Sequence, residues 1–213
     1  MRDSTLPARG HVLRSHVRLY DVAVRLLTWR QRTPLHERIA ELAQLRPGER
    51  VLDVGCGTGS LALAAKAVVG AGGSVHGVDA SSEMIDRARA KARARHMAAD
   101  FEIASVEALP LADRSFDVVF STLMMHHLPR PVRRLCVQEM ARVLRPGGRV
   151  VVVDFQASSR VHDGWWAWLH RHGAVPADEI QDLLTAAGFA IAQTGAVGIA
   201  GLHFTGATWG TPA

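Results

Sequence analysis

The stretch from Val51 to Ser60, VLDVGCGTGS, constrains the fold of this chain more than any other part of it. A run of apolar residues ends in a turn with glycine at alternate positions, and small residues then begin a helix. Glycine reaches backbone angles that other residues adopt only at a cost, and its missing Cβ atom lets a ligand approach the backbone. A buried strand, a tight turn and a helix in this order predict a binding site for a nucleotide-like cofactor.

The chain is long and apolar enough to bury one sizeable core, since 48% of its 213 residues are hydrophobic. We expect a single domain, residues 1–213: a disordered start and helical cap (1–45), a cofactor-binding core (46–155), and a Trp-rich insert with the terminal strands (156–213). No apolar run approaches the roughly 20 residues that span a bilayer, and the amino end lacks the apolar core of a signal peptide. These features predict a cytoplasmic protein without a transmembrane segment.

The charge pattern bears on the partners of the chain, which carries 25 Lys and Arg against 20 Asp and Glu. Its densest basic runs, residues 87–95 and 130–134, lie on predicted helices without interleaved aromatic side chains. This pattern favours solvated helix faces over a nucleic-acid surface and leaves peripheral contact with an anionic membrane open. Cys56 and Cys136 lack metal-ligand spacing and are expected to be free thiols, so no metal site is predicted.

Short apolar segments alternate with helical patterns from residue 50 onward. Strands of a parallel sheet that is covered on both faces have this near-continuous apolar character, and right-handed helical crossovers join them. We therefore expect an α/β fold whose site lies at the carboxyl ends of the strands. The predicted strands are residues 50–54, 74–78, 101–104, 115–120 and 149–155.

The last part of the chain departs from this alternation. Trp165, Trp166 and Trp168 fall in a predicted short helix, where adjacent residues diverge by about 100° and so cannot share one face. Either one or two of these tryptophans face a pocket for a substrate, or all of them pack the insert onto the sheet. A further helix precedes two strands, 189–194 and 202–208, and the glycine-rich turn between these strands predicts an antiparallel hairpin.

The spacing of the glycines narrows the choice of ligand. Gly55, Gly57 and Gly59 are spaced G-x-G-x-G, whereas the dinucleotide fingerprint is G-x-G-x-x-G. A pyrophosphate binds at a helix amino terminus, but Asp53 places a carboxylate beside the turn, which suits a cationic or amine-bearing ligand. Asp79 closes the second strand, where a carboxylate accepts hydrogen bonds from ribose hydroxyls or caps the next helix. The alternative, an NAD-dependent oxidoreductase, is disfavoured by this spacing.

Five segments occur in a fixed order: VLDVGCGTG, GVDAS, ALPLADRSFDVVFS, HHL and RVLRPGG. In this order, over about residues 46–155, the chain resembles the class I S-adenosylmethionine-dependent methyltransferases, in particular the branch of ubiquinone and menaquinone biosynthesis methyltransferases. The resemblance implies a Rossmann-like, doubly wound, mostly parallel seven-stranded sheet with an antiparallel carboxyl-terminal hairpin and a helical amino-terminal cap. It also implies S-adenosyl-L-methionine as cofactor, S-adenosyl-L-homocysteine as product and a small-molecule methyl acceptor.

The resemblance assigns the glycine turn to the methionine part of the cofactor. Gly55, Cys56, Gly57 and Gly59 would lie along it, with Asp53 near its ammonium group. These five residues are predicted to bind the amino-acid end of the ligand.

Further residues would surround the nucleoside. Asp79 would bind the ribose diol, and Ala80 would flank the adenine. Ser105 stands where the family often has an acidic residue that binds the adenine amine, and a neutral hydroxyl makes a weaker bond there. Val106 would contribute its backbone N–H and its apolar side chain.

Three more positions complete the predicted cofactor site. Ser121 and Leu123 match the segment beside the sulfonium. Tyr20, the only tyrosine of the chain, would place its hydroxyl over the cofactor carboxylate or else pack against the core.

His126 follows the fourth strand and is the candidate catalytic residue. Imidazole ionises near neutral pH and can remove a proton from a phenol, an amine or an acid; the competing interpretation is a loop histidine that shapes the pocket. Transfer from a sulfonium is an in-line displacement, so the protein mainly supplies proximity, alignment and exclusion of water. We predict O-, N- or C-methylation of a small, partly apolar acceptor. A catalytically inactive cofactor-binding or regulatory protein is the remaining alternative.

Overall fold

The structure, a computed structural model, describes residues 35–155, 175–198 and 201–210. Tyr20 and the Trp-rich insert lie outside the described residues. The roles that the sequence assigns to them therefore stay predictions.

Helices and strands alternate along the described residues. The helices are α1 (Leu35–Leu42), α2 (Ser60–Val69), α3 (Ser82–Ala94), α4 (Arg130–Val143) and α5 (Ala177–Ala186). The strands are β1 (Arg50–Val54), β2 (Ser74–Asp79), β3 (Asp100–Ile103), β4 (Phe116–Thr122), β5 (Leu144–Phe155), β6 (Phe189–Ala196) and β7 (Leu202–Trp209), and a 3-10 turn covers Met125–His127. None of the described helices has the length and apolar character needed to cross a membrane.

The seven strands form one sheet in the order β3-β2-β1-β4-β5-β7-β6. The first five strands of this order are parallel to one another, whereas β7 runs antiparallel to both β5 and β6. This confirms the predicted Rossmann-like, mostly parallel sheet with an antiparallel carboxyl-terminal hairpin. The strand order reverses between β1 and β4, and open α/β sheets bind ligands outside the carboxyl ends of the strands at such a point.

Both faces of the sheet are buried, which explains why its strands are apolar at successive positions. Leu52 and Val119 belong to the core that packs against α4 and α5. Their neighbours Val51 and Val118 belong to the core that packs against α1, α2 and α3. The sheet is thus held rigidly between two layers of helices, and the ends of its strands have fixed positions.

Several strand boundaries differ by one or two residues from those expected from the sequence, and the start of β5 differs by five; the end of β4 and the start of β5 show the reason. β4 continues through Ser121, which the sequence places after the strand, because Ser121 pairs with Val152 of the neighbouring strand. β5 begins at Leu144, ahead of the turn that is expected to precede it, because Leu144 pairs with Phe116 before the register shifts. In both cases pairing with a neighbouring strand decides the boundary.

Candidate functional site

The glycine turn after β1 uses its amide groups within the protein. The N–H groups of Gly55 and Cys56 both donate to the Val78 carbonyl at 2.9 Å, and the N–H of Gly57 donates to Asp79 Oδ2 at 2.9 Å. A phosphate-binding turn instead presents free amides to the anion. These three amides are not free, which disfavours a pyrophosphate at this turn.

All three glycines of the turn have positive φ values, between 52° and 75°, in the left-handed region that favours glycine. At two of them the protein itself fills the space of the missing Cβ atom. A Cβ at Gly55 would collide with the Met124 side chain, and one at Gly59 would lie 2.8 Å from the Phe101 ring and 2.9 Å from Ala88 Cβ. Neighbouring side chains therefore require glycine at these two positions, and the predicted contacts of the turn with a ligand stay predictions.

Cys56 places its thiol in the core beside the turn. The side chain is buried, and a Cβ at Gly77 would lie 3.0 Å from its Sγ atom. Burial raises the pKa of the Cys56 thiol well above its usual value, and the nearby carboxylates act in the same direction. The thiol is therefore not activated as a nucleophile, and a cofactor contact at Cys56 would use its backbone.

Asp79, the last residue of β2, holds its carboxylate beside the turn. Its Oδ2 atom accepts the Gly57 N–H and its Oδ1 atom accepts the Ser81 N–H, each at 2.9 Å. Burial raises the pKa of the Asp79 carboxyl, while the amide hydrogen bonds oppose this effect. The amides of Ser81, Gly57 and Ala80 donate to this carboxylate, which leaves it a lone pair that can accept a hydroxyl. The cap of α3 is Ser81, whose hydroxyl accepts the Met84 N–H at 3.4 Å.

Asp53 is buried in the sheet beneath the turn, with 2% of its surface exposed. Its Oδ2 atom has no hydrogen-bond partner among the described residues. Burial and the charge of Asp79 raise the pKa of Asp53 to about 7, although the Ala62 amide donates a hydrogen bond that lowers it. A buried carboxylate with an unsatisfied oxygen is costly unless a cation or a donor reaches it.

The segment after β3 lies against the second strand, because the Ala104 N–H donates to the Asp79 carbonyl at 3.1 Å. The Ser105 hydroxyl donates to Glu107 Oε2 at 3.1 Å, and Val106 is buried. Glu107 is not among the residues predicted from the sequence. The family often has an acidic residue at the position of Ser105, and in this chain the acidic side chain is that of Glu107, two residues later.

The end of β4 carries buried groups without partners and an unusual backbone conformation. Ser121 is 1% exposed, and its hydroxyl and that of Thr122 have no hydrogen-bond partner within the described ranges. Leu123 has a φ of 53°, which is rare for a bulky residue, and its N–H donates to the Val153 carbonyl at 2.8 Å. Strained backbone of this kind clusters at ligand-binding and catalytic sites.

His126 pairs with Asp154, which the sequence analysis did not single out. The distance from His126 Nδ1 to Asp154 Oδ1 is 2.6 Å, and the His126 N–H donates to Asp154 Oδ2 at 3.1 Å. Asp154 lies one residue before the end of β5, and its side chain is 1% exposed. A polar residue that closes an apolar strand is the same signal that singled out Asp79, and it could have identified Asp154.

The turn that carries His126 is also held from the side of α4. Arg133 is 9% exposed and donates through Nε to the Met125 carbonyl at 3.0 Å. Its Nη1 atom lies 2.7 Å from Glu179 Oε1 on α5. The carboxyl-terminal helix therefore anchors the turn through a buried arginine, a contact that no sequence pattern predicted.

The carboxyl edge of the sheet brings these groups together on one side of the molecule. Asp53 offers a buried oxygen without a partner among the described residues, Asp79 can accept a further hydrogen bond, and the turn amides are bonded within the protein rather than free for a phosphate. These two carboxylates fit a nucleoside that carries an ammonium group and lacks a phosphate. Fold and site define a Rossmann-like nucleoside-binding protein.

Known proteins agree with this class. A family model described as a methyltransferase domain matches residues 51–148. The chain is 40% identical over 119 residues to the ubiquinone/menaquinone biosynthesis C-methyltransferase UbiE of Bdellovibrio bacteriovorus, covering 56% of this chain and 49% of that one. It is 38% identical over 125 residues to the 27-O-demethylrifamycin SV methyltransferase of Amycolatopsis mediterranei, covering 58% and 44%. The chain thus spans about half the length of these curated relatives.

Solved structures extend the similarity over more of the chain. The YcgJ protein of Bacillus subtilis is 30% identical with a TM-score of 0.63, covering 76% of this chain and 71% of that one. A SAM-dependent methyltransferase from Aquifex aeolicus has a TM-score of 0.71 at 22% identity, covering 90% and 96%, which shows a shared fold. These findings support a class I S-adenosylmethionine-dependent methyltransferase with S-adenosylmethionine as its cofactor.

Proposed function

We propose that the protein transfers the methyl group of S-adenosylmethionine to a small, partly apolar acceptor. The observation that carries this proposal is the buried Asp53 carboxylate, which has an oxygen without a partner among the described residues. Burial, and after it the charge of Asp79, raises the pKa of Asp53 to about 7. A cationic ammonium group at Asp53 would stabilise the ionised carboxylate. The same ligand would present its ribose hydroxyls to Asp79.

The other predicted cofactor residues take the roles that their positions support. Ala80 and Val106 flank the adenine, and the Ser105 oxygen accepts a hydrogen bond from its amine. Ser105 directs its own proton to Glu107, which leaves its oxygen as the acceptor. Ser121, buried with a free hydroxyl, lies nearest to the sulfonium in this assignment.

The bound cofactor supplies a methyl group on a sulfonium, which is a good leaving group. The chain itself aligns the acceptor, excludes water from the end of β4 and accepts a proton at His126 when the acceptor loses one. Leu123 contributes an apolar wall there, fixed by its bond to the Val153 carbonyl. No part of this proposal needs a covalent intermediate on the protein.

Two other functions remain as alternatives to test. An NAD-dependent oxidoreductase is opposed by the glycine-turn amides, which are bonded to Val78 and Asp79 rather than free for a pyrophosphate. The other is a catalytically inactive cofactor-binding or regulatory protein, and a protein named for other chemistry shares the fold: the [4+2]-cyclase SpnF has a TM-score of 0.70 with this chain at 23% identity. Fold alone therefore does not establish methyl transfer.

Calorimetry with S-adenosylmethionine, S-adenosylhomocysteine and NAD tests the proposal. Binding of both sulfur compounds but not NAD is expected, and binding of neither would overturn it. Asp79→Ala should weaken binding by about 1.5 to 3 kcal/mol, the range for hydrogen bonds to a charged group. Asp86→Ala is the matched control, because this carboxylate lies on the next helix with 77% of its side chain exposed. Equal affinities of the two variants would contradict the ribose role.

A further inference from the structure

Asp53 and Thr122 each hold a buried side-chain oxygen without a hydrogen-bond partner within the described ranges. Their strands are neighbours in the sheet, where Asp53 of β1 lies opposite Phe120 of β4. Successive residues of a strand point to opposite faces, so Thr122, two residues after Phe120, lies on the same face as Asp53. This face packs against α1, α2 and α3, and its core includes Val118 and Phe120. The two unsatisfied oxygens therefore share one face of the sheet.

The hydroxyl of Ser121, which also has no partner among the described residues, belongs to the opposite face. Ser121 is paired with Val54 and Val152, which are both part of the core that packs against α4 and α5. The sheet itself therefore separates the Ser121 hydroxyl from Asp53. Thr122 is the residue at the end of β4 whose hydroxyl stands on the Asp53 side.

Thr122 stands level with the start of the glycine turn. The last pair between β1 and β4 joins Val54 and Ser121. Thr122 is thus one step beyond the end of β1, at the level of Gly55. Neighbouring strands lie about 4.8 Å apart and each residue advances about 3.3 Å, which puts the Cα atoms of Asp53 and Thr122 about 8 Å apart. Side chains that extend from such positions leave room for one small group between their oxygens.

The chemistry of the two oxygens restricts what this group can be. Ionised Asp53 only accepts hydrogen bonds and the Thr122 oxygen can accept one, so a group that satisfies both must donate two. An ammonium group has three donors and a positive charge, whereas a ligand carboxylate would be repelled by Asp53. Within the described residues, the groups that act on Asp53 are the Asp79 carboxylate and the Ala62 amide, so no basic side chain there balances its charge.

We propose that Thr122 binds the ammonium group of the cofactor together with Asp53. This inference rests on the proposed function and adds a residue to the predicted site, which includes Ser121 and Leu123 but not Thr122. The hydroxyl then determines specificity for the amino-acid end of the ligand and not for the nucleoside. The competing interpretation is a structural hydroxyl that an ordered water satisfies in the free and the bound protein alike.

Thr122→Val separates these interpretations, because valine keeps the branched shape and removes the hydroxyl. The hydroxyl has no partner to lose among the described residues, so the free variant should unfold at the same urea concentration as wild type or at a higher one. Thr205→Val is the matched control. Thr205 is 1% exposed and lies on β7, which borders neither β1 nor β4.

Calorimetry with three ligands identifies the group that the hydroxyl contacts. S-adenosylhomocysteine carries an ammonium group and a carboxylate, its aminopropyl analogue lacks the carboxylate, and its carboxypropyl analogue lacks the ammonium group. Displacement of S-adenosylhomocysteine measures the weaker ligands. Thr122→Val should bind both ammonium ligands about 10-fold more weakly than wild type, the smaller end of the range for hydrogen bonds to a charged group. It should bind the carboxypropyl analogue as wild type does, and Thr205→Val should bind all three as wild type does.

Four results would overturn the role of Thr122 at the ammonium group. These are an equal loss for all three ligands, a loss for the carboxypropyl analogue alone, no loss for any ligand, and the same losses in Thr205→Val. A free Thr122→Val protein that unfolds at a clearly lower urea concentration would overturn it as well, because the hydroxyl would then have a partner before the ligand binds. Failure of the wild type to bind S-adenosylhomocysteine would instead overturn the proposed function.

Discussion

The carboxyl edge of the sheet has two regions that are built in different ways. Beside β1 and β2, backbone amides bind a carboxylate that closes a strand, as the Gly57 N–H binds Asp79. Beside β4 and β5, side chains hold side chains: His126 and Asp154 are 28 residues apart, and Arg133 and Glu179 are 46 apart. The region beside β1 and β2, which we assign to the cofactor and call the cofactor region, depends on backbone geometry that a short motif sets. The region beside β4 and β5, which we assign to the methyl acceptor and call the acceptor region, depends on side chains. Single substitutions there can alter the site while the cofactor region stays intact.

The largest effect is expected in the cofactor region at Asp53, whose pKa rises from 3.8 to about 7 in the folded chain. Between these values the unfolded chain has lost a proton that the folded chain still holds, so stability falls as pH rises and levels off above about pH 7. Asp53→Asn removes this dependence. From about pH 4 to pH 8 the variant should gain about 4 kcal/mol of unfolding free energy relative to wild type, as measured by urea denaturation.

Ligand binding sharpens the same measurement. S-adenosylhomocysteine carries an ammonium group that would pair with ionised Asp53, so a saturating concentration should reduce the difference between Asp53→Asn and wild type at high pH. A difference that does not vary with pH would contradict the effect of burial on Asp53. A difference that the ligand leaves unchanged would contradict its assignment to the ammonium group.

A somewhat smaller loss is expected in the acceptor region at Arg133. Arg133→Gln removes the guanidinium group that donates to the Met125 carbonyl and to Glu179 Oε1, and breaking a buried pair in this way should cost about 3 kcal/mol of unfolding free energy. Arg130→Gln is the matched control, because Arg130 contacts the same Glu179 at 3.2 Å with 81% of its side chain exposed. It should cost less than about 1 kcal/mol.

Calorimetry on these two arginine variants tests whether the regions are separate. Neither substitution should change the affinity for S-adenosylhomocysteine, since Arg133 contacts the His126 turn and not the glycine turn. Equal losses of stability would refute the anchoring role of Arg133. A loss of cofactor affinity in Arg133→Gln alone would show that the two regions are coupled.

The smallest effect concerns how tightly the glycine turn is packed. Gly59→Ala combines a positive φ with contacts of 2.8 Å to Phe101 and 2.9 Å to Ala88, whereas Gly147→Ala meets a positive φ but no atom within 4 Å. Overpacking typically costs 1 to 3 kcal/mol, so Gly59→Ala should lose about 2 kcal/mol more than Gly147→Ala in chemical denaturation. Similar losses would mean that backbone conformation alone requires glycine in the turn.

Much of the fold could be predicted because local patterns specify it. Apolar strands buried on both faces, such as Arg50–Val54, and glycines at the turns allow few arrangements other than a parallel sheet. The pairing of Ser121 with Val152, which extends β4, could not be predicted in this way. Strand ends depend on hydrogen bonds to neighbouring strands, and these partners are distant in the sequence.

The residues of the candidate site can be divided in the same way, into those that local motifs predict and those that depend on distant contacts. Asp53 and Asp79 could be proposed from the sequence, because each stands at a fixed place relative to the glycine motif. The sequence singled out His126 but not its partner, since nothing local links it to a residue 28 positions later. The contact of Met124 with Gly55 could not be predicted for the same reason, because Met124 reaches the glycine only through the fold.

The sequence by itself predicted the class of fold, because strand periodicity and turn glycines are encoded within short segments, and its resemblance to known methyltransferases implied the family and the cofactor. Only the tertiary structure decided that His126 is held by Asp154, that Arg133 anchors its turn, and that Asp53 is left with an unsatisfied oxygen. These features arise where strands and helices from separate parts of the chain meet. The burial of a side chain and the identity of its partners depend on these contacts between distant segments, so no single segment of the sequence predicts them.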